Sequence, residues 1–435
     1  MNSITPLEAW IAAKIGATTP LARRDLERWQ LHQLNTTLER ARQHSPFYRE
    51  RLADCPARLT ALGELALLPF TSAADLRRDP LRLLCVSQDS IERIITLTSS
   101  GTTGPPKRIA FTGADQELTR DFFHVGMSTF TQPGDRVVIL LPGPTPGSVG
   151  ALLTQALQRL GAEGMLQPPN APPHATAQLI QAQQAQVLVA TPSQAILLAR
   201  HPDAAGIHLH SVLLTTDHVP QAIRTVVEQA WGCRVYNHYG MSEMGLGGGV
   251  ECQAQRGYHV READLLFEIV DAVSGQPLPE GAAGELVFTT LTRVGMPLIR
   301  YRTGDAGRFL PGRCPCGTTL RSLERVTHRL DGRIALADAT LTMADLDEAL
   351  FPLDTVIGFR ATFTDGATAH LAIELELLRE STETLAQAAH AVGQISAIQR
   401  ALNQGTLSYH VTHRQYDPQQ GIALRKRIIE QINEG

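Results

Sequence analysis

The chain has 435 residues, 43% of them hydrophobic and 19% charged, with a formal net charge of -4, the composition of a globular protein long enough for two or three domains. It lacks the basic surplus that nucleic-acid binding requires, and its most apolar runs, such as 187–190 and 212–214, are far shorter than a membrane span. Six cysteines in so long a chain do not make a disulfide framework, and with no apolar signal core near the N-terminus a cytoplasmic protein is expected, one that meets neither nucleic acid nor membrane.

Residues 1–90 read as helical, with apolar positions at helical spacing through Leu31, Leu34, Leu38 and Ala41 before a loop at Ser45-Pro46. From Ile94 onward short β-rich runs, 108–112, 136–141, 186–190, 211–214 and 234–236, alternate with helical stretches, among them the Ala- and Gln-rich 178–186. That alternation predicts an α/β core over 91–256 with a largely parallel sheet. Over 257–330 the strand-rich runs 265–270, 284–289 and 308–310, separated by Gly- and Pro-rich turns, predict a β-rich part attached to that core. Helices near 343–350 and 383–404 and strands near 358–363 and 370–375 follow, the pattern of a separate, small α+β domain over 331–435. The expected fold class is therefore α/β, a large N-terminal domain over 1–330 followed by a small C-terminal one.

Of the 39 Lys and Arg residues only Lys14, Lys107 and Lys426 are lysines, so arginine serves wherever the chain merely needs a surface cation. Lys107 closes the run Thr98-Ser99-Ser100-Gly101-Thr102-Thr103-Gly104-Pro105-Pro106-Lys107. Consecutive small residues let backbone N–H groups converge on an anion, hydroxyls add further bonds, and a terminal lysine supplies a point charge, which together suit a phosphate chain. The run is not a Walker A motif, because the Lys-Ser or Lys-Thr pair after G-x-x-x-x-G is missing. An isolated Gly/Ser/Thr run is ordinarily a surface loop; the full ten-residue string and the scarcity of lysine favour phosphate.

Cys252 and His259 form a C-x6-H pair, and Cys314 and Cys316 a C-P-C-G pair, on either side of the β-rich part. Three thiolates and an imidazole are the ligand set of a closed tetrahedral structural zinc. Buried packing thiols beside a turn histidine are the alternative on pattern alone. Cys55, Cys85 and Cys233 lie in mixed or apolar surroundings and read as packing residues.

The run from Thr98 to Lys107 resembles the signature loop of the adenylate-forming superfamily, which includes acyl- and aryl-CoA ligases, luciferases and peptide-synthetase adenylation domains. Tyr239-Gly240-Met241-Ser242-Glu243 is similar to its Y-G-x-[ST]-E segment, Tyr301-Arg302-Thr303-Gly304-Asp305 to its Y-[RK]-T-G-D segment, and Arg329, Asp331 and Arg333 to the hinge that ends its large domain. Ser45-Pro-Phe-Tyr-Arg49, Leu68-Pro-Phe-Thr71 and the compact length resemble the phenylacetate-CoA ligase branch.

The resemblance implies an enzyme that joins ATP and a carboxylic acid, aromatic or otherwise small, into an acyl-adenylate, from which a thiol, usually that of coenzyme A, displaces AMP. It implies that Thr98, Ser99, Ser100, Gly101, Thr102, Thr103, Gly104 and Lys107 surround the phosphates, that Glu243 holds Mg2+, and that Ser242 bonds the α-phosphate or the substrate carboxylate. Asn237, Tyr239 and Gly240 would line the adenine, with Thr216 and Asp217 at a turn where relatives often have glycines. Asp305 would take the ribose hydroxyls and Arg329 would brace the ribose or phosphate. Lys426 would be the adenylation lysine, carried by a mobile C-terminal domain that pivots at Asp331. Relatives usually have Gly directly before that lysine, whereas this chain has Gly421-Ile-Ala-Leu-Arg-Lys426, and Gly332-Arg-Ile-Ala-Leu-Ala follows the pivot in place of a second acid and a lysine-bearing strand. A comparable cysteine cluster in some phenylacetate-CoA ligase-like proteins supports the zinc reading. The acyl pocket is expected between the phosphate loop and 241–249, where glycines would let a flat ring approach, with Phe123, His124, Pro142 and Gly143 opposite. A non-CoA acceptor (carrier protein, amine or cofactor hydroxyl) and a catalytically silent nucleotide-binding homologue are the alternatives, and a homodimer is a family-level expectation.

Overall fold

A computed structural model of the protein describes residues 4–97, 105–336, 338–366, 368–418 and 427–433. The chain forms two compact units that interleave along the sequence: Met1–Gln132, Thr145–Gly161 and His238–Val326 make the first, and Pro133–Pro144, Ala162–Asn237 and Thr327–Gly435 the second.

In the first unit, helix Arg23–His44 buries Leu26, Gln30, Leu34, Thr37, Leu38 and Ala41 at three- and four-residue spacing. Its lower half packs with Leu266, Leu291 and Ile299. Ser45-Pro46 is not a loop. The Ser45 hydroxyl accepts from Tyr48 N, and Pro46 supplies the first helical residue of Pro46–Arg51, so a new helix starts at once. Strands Arg93–Leu97 and Lys107–Phe111 pair antiparallel with Leu97 opposite Lys107, which holds the two ends of the phosphate-loop segment side by side. Helix Gly113–Met127 follows, opened by a capping box between Thr112 and Asp115.

The β-rich part contains the antiparallel sheet Leu265–Val270, Gly284–Thr290 and Tyr301–Gly307. The third strand is absent from the sequence reading because Thr303-Gly304-Asp305 also reads as a turn. Gly304 has φ 75, and the register slips between Glu285 and Val287, so the strand carries an irregularity at the turn-like residues. A second antiparallel ladder joins Phe309–Leu310, Ser322–Leu323, Tyr258–Val260 and Gly249–Glu251 to His238 and Tyr239.

In the second unit the strands lie in the order Glu163–Leu166, Arg136–Ile139, Val187–Ala190, Ser211–Leu214, Arg234–Tyr239, all parallel, the last running on into the first unit. Val187–Ala190 is buried throughout, as a central parallel strand must be. The C-terminal part is a four-stranded sheet, Leu407–Gln415, Ala369–Leu377, Val356–Asp365, Ile429–Asn433, with an antiparallel centre and parallel outer pairs. The helix expected over 383–404 is two, Thr382–Gly393 and Ser396–Asn403, because the chain becomes extended at Ile395. Among the described residues no helix is long and apolar enough to cross a membrane.

Candidate active site

Strand Lys107–Phe111 starts with Lys107, whose Nζ lies 2.5 Å from Glu243 Oε1. The Tyr301 hydroxyl donates to the same oxygen at 2.9 Å. The Glu243 side chain is only 2% exposed. Burial alone would lift its carboxyl, but Lys107, the backbone amide and Tyr301 outweigh burial and hold it below the usual range, so it is ionised at neutral pH.

Glu243 sits in the single 3-10 turn Ser242–Met244, which ends at Gly245 with φ 75. Three successive carbonyls of this segment are tied down by side chains. Glu243 O accepts from Arg293 Nη1 at 2.8 Å, Met244 O from Arg261 Nη2, and Gly245 O from Thr119 Oγ1 at 2.8 Å. Both arginines are buried. Arg293 lies over Phe111, its guanidinium carbon 4.4 Å from the ring centroid, and burial draws it down to about 10. The glycines here serve close packing within the segment. A Cβ on Gly240 would stand 2.2 Å from the Leu246 carbonyl oxygen, and one on Gly247 would stand 2.4 Å from the Phe122 ring. Phe122 and Phe123 also flank His238, each with its centroid 6.2 Å away, and burial, aided by Arg261, lowers that imidazole to about 4 and keeps it neutral.

Tyr239 and Asp305, expected at the adenine and the ribose, meet directly: the Tyr239 hydroxyl donates to Asp305 Oδ2 at 2.8 Å. Burial first, and Asp305 second, raise that phenol well above its ordinary value, so it keeps its proton.

The other expected residues belong to the second unit. Asn237 is buried opposite Leu214. Thr216 has φ 74, a left-handed conformation unusual for a β-branched residue, in the turn where glycines were noted in relatives. The Asp217 carboxylate accepts from His218 N at 2.8 Å and from Arg427 Nε at 3.2 Å. Arg329 Nε lies 3.1 Å from Asp331 Oδ1, an exposed pair beside the turn Leu330–Gly332. Thr98, Ser99, Ser100, Gly101, Thr102, Thr103, Gly104 and Lys426 lie outside the described residues.

The sulfur and nitrogen donors of Cys252, His259, Cys314 and Cys316 all lie within 4.8 Å of one another, and all four residues are buried. Cys252 Sγ is 3.6 Å from Cys314 Sγ, and Cys316 Sγ is 3.5 Å from His259 Nε2. His259 Nδ1 is 3.3 Å from the Arg321 carbonyl, a contact that assigns the proton to Nδ1 and turns Nε2 towards the thiols.

A family model described as AMP-binding enzyme matches residues 77–292. Phenylacetate-coenzyme A ligase from Pseudomonas putida is 31% identical over 345 residues, covering 75% of this chain and 76% of that protein. Its Escherichia coli K12 counterpart is 30% identical over 344 residues, with 75% and 76% covered. The chain belongs to the adenylate-forming superfamily, close to its phenylacetate-CoA ligase branch. Its fold is that of the superfamily: 2-hydroxyisobutyryl-CoA ligase, solved in the postadenylation state with R3-HIB-AMP, superposes with a TM-score of 0.76 at 21% identity over 96% of this chain and 91% of that one. The amide bond synthetase McbA from Marinactinospora thermotolerans superposes with a TM-score of 0.53 at 17% identity over 75% and 66%.

Within this adenylate-forming chain, sequence reasoning assigned no role to Tyr301, Arg261, Arg293 or Thr119. Tyr301 opens a motif that had been read for its aspartate, so its signal was present. The arginines have none, since nothing in a single sequence separates two buried guanidinium groups from the other arginines of an arginine-rich chain.

Proposed function

We propose that this protein is an ATP-dependent acid–CoA ligase that forms an acyl-adenylate and then a thioester, on an aromatic or other small carboxylic acid. The observation that carries the reading is Glu243, a desolvated and ionised carboxylate paired with Lys107 at the end of the hairpin that frames the phosphate-loop segment. A buried, ionised carboxylate is a hard oxygen donor that fits Mg2+. Bound at Glu243, the ion would offset the negative charge on the triphosphate, a contribution of several kcal/mol.

In the first half-reaction an oxygen of the acid attacks the α-phosphorus, the bond to the bridging oxygen breaks, and pyrophosphate leaves with the electron pair. Lys107, together with the hydroxyls and amides of 98–104, neutralises that leaving group. Ser242 bonds the α-phosphate or the carboxylate, and Lys426 supplies charge as the pentavalent centre develops. Asp305, oriented by Tyr239, accepts from the ribose hydroxyls. The turn 215–218 follows strand Ser211–Leu214 at its carboxyl end, the side on which open α/β sheets bind ligands, and receives the adenosine; Arg329 braces the ribose or phosphate. In the second half-reaction the thiolate of CoA attacks the acyl carbon and the bond to AMP breaks. The C-terminal part pivots at Asp331 between the two steps. Lys107, Asp305 and the held carbonyls of 243–245 act by preorganisation and need not move.

The cysteine cluster fits a closed structural zinc. Tetrahedral bonds of about 2.3 Å to sulfur and about 2.0–2.1 Å to nitrogen place two sulfurs about 3.8 Å apart and a sulfur and a nitrogen about 3.6 Å apart, close to the 3.6 and 3.5 Å observed. Metal analysis should find one zinc per chain, retained by wild type on dialysis and lost from Cys316→Ser; a metal-free wild type refutes the assignment.

The deciding experiment is carboxylate-dependent exchange of labelled pyrophosphate into ATP over a panel of aromatic and aliphatic acids, followed by AMP release with CoA, amines or carrier protein as acceptor. Exchange with one acid class and AMP release that requires CoA are expected. Release with an amine alone would move the protein to the amide-forming reaction that McbA's name describes, and no exchange with any acid would leave a nucleotide-binding homologue without catalysis.

A further inference from the structure

Arg427 is the first described residue after 419–426, and its guanidinium makes three separate contacts within the second unit. Nη1 donates to Asp347 Oδ1 at 2.8 Å, Nε to Asp217 Oδ2 at 3.2 Å, and Nη2 to the His218 carbonyl at 2.8 Å. Its backbone N–H adds a second bond to Asp217 Oδ2 at 3.2 Å. The side chain is 9% exposed and lies over Phe351, 5.3 Å from the ring centroid. The planar guanidinium spreads its donors over three nitrogens and so reaches two carboxylates and a carbonyl from fixed directions, whereas a lysine would have to gather all three acceptors around a single nitrogen. Glu348, the next residue after Asp347 on helix Met343–Leu350, accepts from Gln221 N at 2.6 Å and Ala222 N at 2.9 Å. Two neighbouring carboxylates, one acting through Arg427, therefore grip both ends of the stretch 217–222. Thr216, strained at φ 74, stands directly before that gripped stretch.

We propose that Arg427 is a positioning residue for the nucleotide: it fixes the turn 215–218 and cancels the charge of Asp217, which would otherwise repel the phosphates of ATP. This rests on the reading that the turn receives the adenosine. The arrangement leaves Asp217 as the exposed member of the cluster, its side chain 18% accessible against 1% for Asp347. Without Arg427, Asp347 can hold a proton, because burial, with Asp217, Glu348 and Asp345 around it, already pushes its carboxyl up to about 7. Asp217 then remains as the uncompensated anion, and its effect scales with the charge of the ligand.

The test is calorimetric binding of adenosine, AMP and ATP to the full-length protein in wild type, Arg427→Gln, Arg427→Lys and the double variant Arg427→Gln/Asp217→Asn. Loss of the arginine should weaken ATP about tenfold, AMP about threefold and adenosine less than about twofold, with the deficit shrinking at high salt. The double variant should recover ATP to within about threefold, and Arg427→Lys should fall between wild type and Gln. A loss equal for all three ligands, or one that Asp217→Asn does not repair, overturns the proposal. Wild type that binds none of the three while remaining folded refutes the nucleotide reading of the turn itself, a separate failure.

Discussion

Glu243 and Asp347 are both buried carboxylates facing one cation, and they shift in opposite directions. Their side chains are 2% and 1% exposed, yet Glu243 lies below its ordinary range whereas Asp347 is pushed up to about 7. Burial penalises the charged form of each, so burial cannot be what separates them. Glu243 receives Lys107 and the Tyr301 hydroxyl on one oxygen, and its own backbone amide helps further. Asp347 has one N–H from an arginine shared with Asp217, three acidic neighbours, and an Oδ2 that finds no partner among the described residues. Donor count and neighbouring sign decide ionisation at fixed burial. The carboxylate proposed for metal and phosphate chemistry is the one that the fold holds below its ordinary range.

The largest way to break this contrast is Glu243→Gln, which keeps the shape and removes the anion. Pyrophosphate exchange should fall roughly 10²–10³-fold, the kinetic equivalent of several kcal/mol of lost stabilisation, while circular dichroism stays native. Exchange within tenfold of wild type would show that the anion is not used. Asp347→Asn tests the opposite member through stability. The unfolded carboxyl titrates near 3.8 and the folded one at about 7, so between those values the native state holds a proton that the unfolded chain has released. The contribution of Asp347 to stability is therefore present at low pH and is lost as pH rises towards about 7. In urea titrations at pH 5 and pH 7 the Asn variant should gain on wild type by about 2–3 kcal/mol over that interval, at about 1.4 kcal/mol per pH unit. Parallel pH profiles would mean that the folded carboxyl is not raised.

The sequence made one of these carboxylates legible and hid the other for the same reason. Glu243 and Asp305 each lie in a run that resembles a superfamily motif, and that resemblance is what exposes them. Asp347, Arg427, Arg261 and Arg293 act through positions that only the fold brings together, such as Asp217 and Asp347, 130 positions apart, and no local pattern marks them. The four proposed zinc ligands lie between these cases, since each pair is local but their meeting depends on pairing Tyr258–Val260 with Ser322–Leu323. Secondary structure was read well where burial is one-sided or complete, and missed in Leu407–Gln415, where Ser408, His410 and Thr412 face outward and the inward Tyr409, Val411 and His413 are only half-buried. The strand Tyr301–Gly307 was missed because its glycine permits a conformation that ordinary strands avoid.

A smaller change sharpens the donor-count argument at Glu243. Tyr301→Phe removes one hydrogen bond to the carboxylate and leaves Lys107 in place, so the carboxyl should rise towards the behaviour of Asp347. Pyrophosphate exchange should drop about tenfold near neutrality, since a hydrogen bond to a charged group contributes about 1.5 kcal/mol or more. Its acid limb should also move to higher pH, because fewer donors leave the protonated form less disfavoured. A uniform loss without movement of that limb would place Tyr301 in packing rather than in setting the charge.

The smallest expected effect concerns backbone strain beside the other carboxylate. Thr216 holds φ 74 immediately before Asp217, and a left-handed conformation costs an L-residue about 1–2 kcal/mol. Glycine would remove that cost but add about 0.5–1 kcal/mol of unfolded-state entropy. Thr216→Gly should therefore stabilise the protein by about 0.5–1 kcal/mol, read as a small rise in the urea midpoint. If ATP binds less tightly to the stabilised variant, the strain is part of how the turn is held ready for the nucleotide, with Arg427 as the restraint that keeps it there. If affinity is unchanged, the conformation is merely tolerated, and Arg427 acts on the charge of Asp217 and not on the shape of the turn.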